Sequence, residues 1–277
     1  MELTIPLFDG LSLNIAEQSG DAGAYPTGRL QKGLLLRDGN VDLAEEGVGF
    51  GVPVLKRGVH TIFPGGMELA WRRTGPVWEV TADYAMDLVE RLAKPGGGAL
   101  RSGVLYAAKD SLAALHRRAP PLRGPLTTAS AALRRLFGWV TTYEQARVCA
   151  RLKVTYTIVG EQGMIGVTVE VTGLPKAVTE VVVMNELGGR VFDRYTAAGE
   201  SDLCGDAIDT WDAVTAATAG FVSTAHKVAF TLGQAEGARL SRGRELVGGR
   251  LAWSGFGYSL PPTPGAFTYA VRIERTP

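Results

Sequence analysis

Residues able to do chemistry gather behind an apolar run in the second half of the chain. Asn185 and Glu186 follow Val178 to Met184 directly, and Arg190, Asp193 and Arg194 come next. Polar groups at the end of a strand are held by the scaffold while the adjoining loop stays accessible, which suits a binding or catalytic site. The same residues suit a surface ion-pair network. Asp209, Trp211 and Asp212 form a second group. A carboxylate beside an indole fits a sugar, whose apolar face stacks on the ring while its hydroxyls bond the carboxylate. A half-buried tryptophan with a capping aspartate is the plainer alternative, because aromatic side chains dominate cores. Arg244 and Glu245 stand just before an aromatic, glycine-broken run and could hold a ligand carboxylate or hydroxyl, or cross-link two turns. His60 and His226 have the pKa range for general acid–base work, but a histidine on an apolar face is commonly a hydrogen-bonded core residue. Glu45 and Glu46 mimic a glycosidase pair only on paper: neighbours in a strand point to opposite faces and cannot flank one bond. No metal triad, nucleophile elbow, phosphate loop or dinucleotide fingerprint can be written, and neither a metal nor a cofactor is expected.

The elements that must position these residues are mostly strands. Leu152, Val154, Tyr156 and Ile158 alternate with polar residues, as do Val167, Val169 and Val171, and Gly160-Glu161-Gln162-Gly163 between them reads as a hairpin turn. Phe221 to Leu232 and Phe267 to Ile273 continue the period of two, and Val178 to Met184 is apolar enough for a strand covered on both faces. The first 82 residues show short apolar runs cut by Asp9-Gly10, Asp38-Gly39 and Gly65-Gly66, the punctuation of hairpins. Glycines at 47, 49 and 51 leave one strand face bare, for close packing or for a flat ligand, with packing the commoner cause. Between 83 and 138 the pattern changes. Ala85, Leu88, Val89 and Leu92 recur at helical spacing, and 107–118 and 127–137 are rich in Ala, Leu and Arg, so a short helical insertion is expected here.

A formal net charge of +1 gives no whole-molecule field for a polyanion. Residues 101–151 nevertheless carry nine basic against two acidic side chains, +7, while the remainder carries −6. That region could dock a partner or a sister subunit. It lacks the interleaved aromatics and the motifs of a nucleic-acid binder. No apolar run approaches the ~20 residues that span a bilayer, and the opening MELTIPLFDG has neither a basic leader nor a cleavage site, so no membrane segment or signal peptide is expected and a cytoplasmic location is. Cys149 and Cys204, far apart, read as reduced thiols.

Long alternating strands over 150–232, a glycine-punctuated first half and carboxylates at strand ends resemble the galactose mutarotase-like supersandwich, a two-sheet fold of aldose epimerases and other carbohydrate-active enzymes. The resemblance implies acid–base catalysis of sugar-ring opening by histidines and a late glutamate, roles to which His60, His226 and Glu245 would correspond. The resulting expectation is a mainly β chain, 1–277 as one large antiparallel two-sheet sandwich with an insertion at 83–138. On it, His60, His226, Glu186 and Glu245 would act as catalytic groups, and Asn185, Arg194, Asp209, Trp211 and Arg244 would contact a carbohydrate. The alternative is a non-catalytic interaction protein docking through 101–151.

Overall fold

The structure, a computed structural model, describes residues 1–17, 30–58, 60–93, 140–208, 211–247 and 251–277. Strands β1 (Glu2–Pro6), β2 (Leu11–Ala16), β3 (Leu35–Asp38) and β4 (Val41–Asp42) form a small antiparallel sheet in sequence order. A second antiparallel sheet contains β5 (Gly49–Arg57), β6 (His60–Thr74), β7 (Val77–Ala93), β8 (Val140–Val159), β9 (Met164–Val171), β10 (Glu180–Gly188) and β11 (Arg194–Ala197). It is completed by β12 (Leu203–Cys204), β13 (Asp212–Ala213), β14 (Thr218–Ser223), β15 (Val228–Gly233), β16 (Arg239–Val247), β17 (Leu251–Leu260) and β18 (Gly265–Arg275). Its order is β12-β11-β14-β15-β18-β9-β8-β7-β6-β5-β10-β17-β16-β13.

The alternation seen in sequence selects the inward face. Ile165, Val167, Val169 and Val171 are buried along β9, as are Leu152, Val154, Tyr156 and Ile158 along β8. Their outward neighbours pair across strands, Lys153 with Glu170 at 2.7 Å and Thr168 with Thr268 at 3.1 Å. Although seven strands separate β17 from β15 in the sheet order, Phe256 of β17 packs against Phe230 of β15 at 5.9 Å and against Phe221 of β14 at 5.0 Å. The sheet therefore curls until its two ends face each other, and Ile5, Leu13, Ile15 and Leu36 of the small sheet join the same core.

Three expectations change. The helical spacing at 85–92 belongs to β7, and no α-helix occurs among the described residues. The pairing of β7 with β8 slips between Met86 and Leu88, so Met86 stays with the main core while Leu88 turns to the opposite face. A bulge inserted into a period of two yields spacings of three, which imitate a helix. The helices expected at 107–118 and 127–137 lie outside the described residues. Gly65-Gly66 is likewise no hairpin turn but an irregularity within β6, where a side chain on Gly65 would strike the Asp87 carboxylate. Finally, the run from Phe221 to Leu232 is a hairpin. Its turn holds His226, whose N–H donates to Ser223 Oγ at 3.3 Å, and Lys227, with φ of 51°. The turns at Asp9-Gly10 and Gly160–Gln162 fall where they were expected.

Candidate functional site

β10 carries chemistry on both faces because consecutive residues point apart. Inward, Asn185 is fully buried beside a bulge in β5: Met184 pairs with Val52 and Asn185 with Phe50, leaving Gly51 as the extra residue, with φ of 78°. The amide oxygen of Asn185 accepts from the unpaired Gly51 N–H at 3.1 Å and from Tyr269 OH at 2.7 Å. Tyr156 OH donates to the Phe50 carbonyl at 3.0 Å and lies 3.3 Å from that of Gly51. Tyr84 meets Tyr156 OH at 3.1 Å. Burial holds these three phenols protonated, well above the ordinary tyrosine range. Asn185 is thus a support for the β5 bulge, directed away from any ligand on the other face.

On that other face Glu186 lies between two glycines. Its strand partners are Gly49 in β5 and Gly255 in β17, and Gly255 in turn pairs with Gly243 in β16. One step along the strands, Gly188, Trp253 and Glu245 form the next row. Glu186 and Glu245 are therefore two strand spacings apart laterally and two residues apart along the strands, roughly 12 Å at their backbones, with a glycine-floored strand between. Trp211, with φ of 59°, stacks on Trp253 at 4.8 Å, and its ring and backbone cover Gly257 and Gly243. The glycines are used for close packing here, in β5, where Gly51 abuts the Tyr156 ring, and just before β5, where Gly47 abuts the Glu186 carbonyl.

Glu186 is 3% exposed, and its Oε1 has no hydrogen-bond partner among the described residues. Burial, then the charge of Glu245, raises its pKa to about 8, against which a hydrogen bond from the Val48 backbone works. The carboxyl is consequently neutral at pH 7 and can act as a proton donor. Nearby, Tyr143 packs edge-on to Phe63 at 5.5 Å in a cluster with Leu30, Val48, Val52, Leu88 and Met184. Burial raises its phenol first, and the negative charges of Glu90, Glu186 and Glu245 add to that. Tyr143 thus presents a protonated hydroxyl within the field of both carboxylates. Sequence reasoning missed it because it precedes the clear alternation of β8. Its signal was available only through its strand partner, Glu90 of β7.

No family model and no curated protein matches the sequence. Solved structures do share the fold. The α-N-acetylgalactosaminidase of Bifidobacterium bifidum, solved as a GalNAc complex, is similar with a TM-score of 0.50 and 10% identity, over 99% of this chain and 36% of that one. The chain thus spans about a third of that enzyme's length. A galactose mutarotase-like protein from Lactobacillus casei (TM-score 0.44, 10% identity) is covered over 99% of both chains. A putative aldose 1-epimerase from Escherichia coli (0.40, 8%) matches over 99% of this chain and 100% of its own. These likenesses concern the fold alone.

The remaining candidates are dispersed. Arg244 points away from Glu245, donating from Nε to the Gly189 carbonyl at 3.1 Å and from Nη1 to Asp206 at 3.3 Å. Arg194 is paired with Asp202 on the surface. His226 lies 3.4 Å from Asp38, which Arg275 clamps at 2.8 Å; that bond is the main cause of the lowered Asp38 pKa. His60 stands at the start of β6 opposite Arg57. Neither histidine is among the charged groups that act on Glu186. Asp209, and residues 101–139 of the basic region, lie outside the described residues. Arg190 is held by Glu45, its backbone N–H at 3.1 Å and its Nη1 at 3.4 Å from that carboxylate. Two surface concavities among the described residues, one near Glu180 and Arg239 and one across β11, β14, β15 and β18, include neither Glu186 nor Glu245.

Proposed function

We propose that the chain binds a carbohydrate on the face shared by β16, β17 and β10 and performs acid–base chemistry on it with Glu186 and Glu245. The observation that carries this reading is the buried Glu186 carboxyl, one oxygen without a partner among the described residues, under the charge of Glu245. Two carboxyl groups whose environments separate their protonation supply a donor and an acceptor at the same pH. Glu186 would give a proton to a sugar oxygen while Glu245 takes one or steadies developing positive charge. Trp211, stacked on Trp253, offers an indole face to the apolar side of a pyranose. The Tyr143 hydroxyl would donate to the same substrate oxygen or to a neighbour. In this reading the carboxyl pair, and not His60 or His226, carries the proton. The fold neighbour with a TM-score of 0.50 is a sugar-processing enzyme, which favours carbohydrate at the level of the fold.

Titration calorimetry with mono- and oligosaccharides, together with proton NMR of the same sugars during incubation, tests the reading. Wild-type protein should give binding heat and turnover. Trp211→Ala should weaken binding at least tenfold, and Glu186→Gln should keep binding but lose turnover at least a hundredfold. Turnover should fall as pH rises through about 8, where Glu186 loses the proton it donates. Absence of heat with every sugar tried would end the proposal.

A further inference from the structure

β5 pairs with β6 only from His60 to Ile62, whereas β6 and β7 remain paired as far as Thr74 and Val77. The far arm of β6 therefore extends past its neighbour, and among the described residues no strand pairs with Glu68 to Thr74 on that side. An open strand edge presents a row of backbone donors and acceptors that another strand can complete. This edge also carries Trp71, 49% exposed, tilted against Trp78 at 5.5 Å. Leu69 and Trp71 share one face of the arm, and Glu68, Ala70 and Arg72 share the other.

We propose that this arm pairs antiparallel with the same arm of a second copy of the chain, about a two-fold axis at Ala70. In that register Glu68 faces Arg72 of the other copy, twice, and Leu69 faces Trp71 of the other copy, twice. The charges are available: the side chains of Glu68 and Arg72 are 76% and 73% exposed, and their pairs within the chain, with Arg151 and Glu79, are at the surface. Register is selected by charge. An axis at Arg72 sets the two Arg72 side chains against each other, an axis at Glu68 does the same with two glutamates, and an axis at Leu69 or Trp71 joins no opposite charges. Like charges directly opposite destabilise a strand pair, while opposite charges and aromatic–aliphatic pairs stabilise it. Such an interface is isologous and closes at two copies.

Size-exclusion chromatography with light scattering on the full chain tests this. The wild type should elute at twice the 29.4 kDa chain mass, dissociating on dilution. Glu68→Arg alone and Arg72→Glu alone should each shift it to the monomer mass, and the double variant Glu68→Arg/Arg72→Glu, which restores opposite charges in the same register, should recover the dimer. Exposed ion pairs contribute little to folding, so circular dichroism and the thermal midpoint of all three should match the wild type. Arg272→Glu, on the outer face of β18, should leave the mass unchanged. A monomeric wild type, a dimer that survives either single reversal, or a folded double variant that stays monomeric would each overturn the proposal.

Discussion

The two faces of β10 bury polar groups in opposite ways. Inward, Asn185 accepts two hydrogen bonds, Tyr156 answers the carbonyls of the β5 bulge, and Tyr84 completes the network. Outward, one residue further on, Glu186 is almost as deeply buried, yet one of its oxygens has no partner among the described residues and the charge that acts on it is another carboxylate. A satisfied network specifies a single backbone arrangement, whereas an unsatisfied ionisable group raises the energy of its charged state. The first arrangement suits structure and the second suits chemistry. The bulge couples them, because Gly51 and Asn185 set the local register in which Glu186 meets two glycines.

The sharpest way to break the structural half is Asn185→Ala. It strands two buried donors, Gly51 N–H and Tyr269 OH, each worth about 1–3 kcal/mol when orphaned. A loss of about 4 kcal/mol in urea unfolding is expected; a loss under 1 would show that the network is not what holds the bulge. For the outward half, Glu186→Gln removes a titration. The Glu186 pKa lies above its unfolded value, so its neutral form favours folding fully below about pH 4.5, and that contribution declines as pH rises to about 8. Between pH 5 and 8 the wild type should therefore lose roughly 3 kcal/mol that the glutamine variant retains. Parallel stability curves for the two proteins would remove the buried acid from the argument.

How much of this was legible in residues alone depends on how local the cause is. The sandwich follows from alternation in β8, β9 and β18, where one face is apolar and the other polar over eight or more residues, and that signal needs no partner. Glu186 and Glu245 could be nominated from their positions behind and ahead of apolar runs. Their separation could not, because it depends on β17, the glycine-bearing partner of β16, pairing on its other side with the distant β10. Which face Asn185 takes could not be read either, because Val181 to Met184 is apolar throughout and shows no alternation. The bulge at Met86–Leu88 hides more, turning a strand into an apparent helix and concealing the register that joins Glu90 to Tyr143.

A smaller effect sharpens the inward half. Gly51 has φ of 78°, and a Cβ there would sit 2.6 Å from the Tyr156 ring. Gly51→Ala should cost about 2 kcal/mol, from the left-handed backbone together with the clash. The proton of Asn185's neighbour Tyr269 is untouched by that change, so the cost should be independent of pH between 5 and 9, in contrast to the behaviour of Glu186. Thermal unfolding across that range would separate a steric penalty from an electrostatic one.

The smallest expected effect decides how the network divides its labour. Tyr156 has one hydroxyl proton, committed to the Phe50 and Gly51 carbonyls, so Tyr84 must be the donor in the 3.1 Å contact between the two phenols. Tyr84→Phe then removes a donor from an oxygen that keeps its own hydrogen bond, and no buried N–H or O–H is orphaned. The loss should be about 1 kcal/mol. Combined with Asn185→Ala in a double-mutant cycle, it should show coupling, because Asn185 and Tyr156 brace the same two residues of β5 from either side. Additive losses would mean that the bulge is held by Asn185 alone, and that the tyrosine pair serves only to fill the core beneath it.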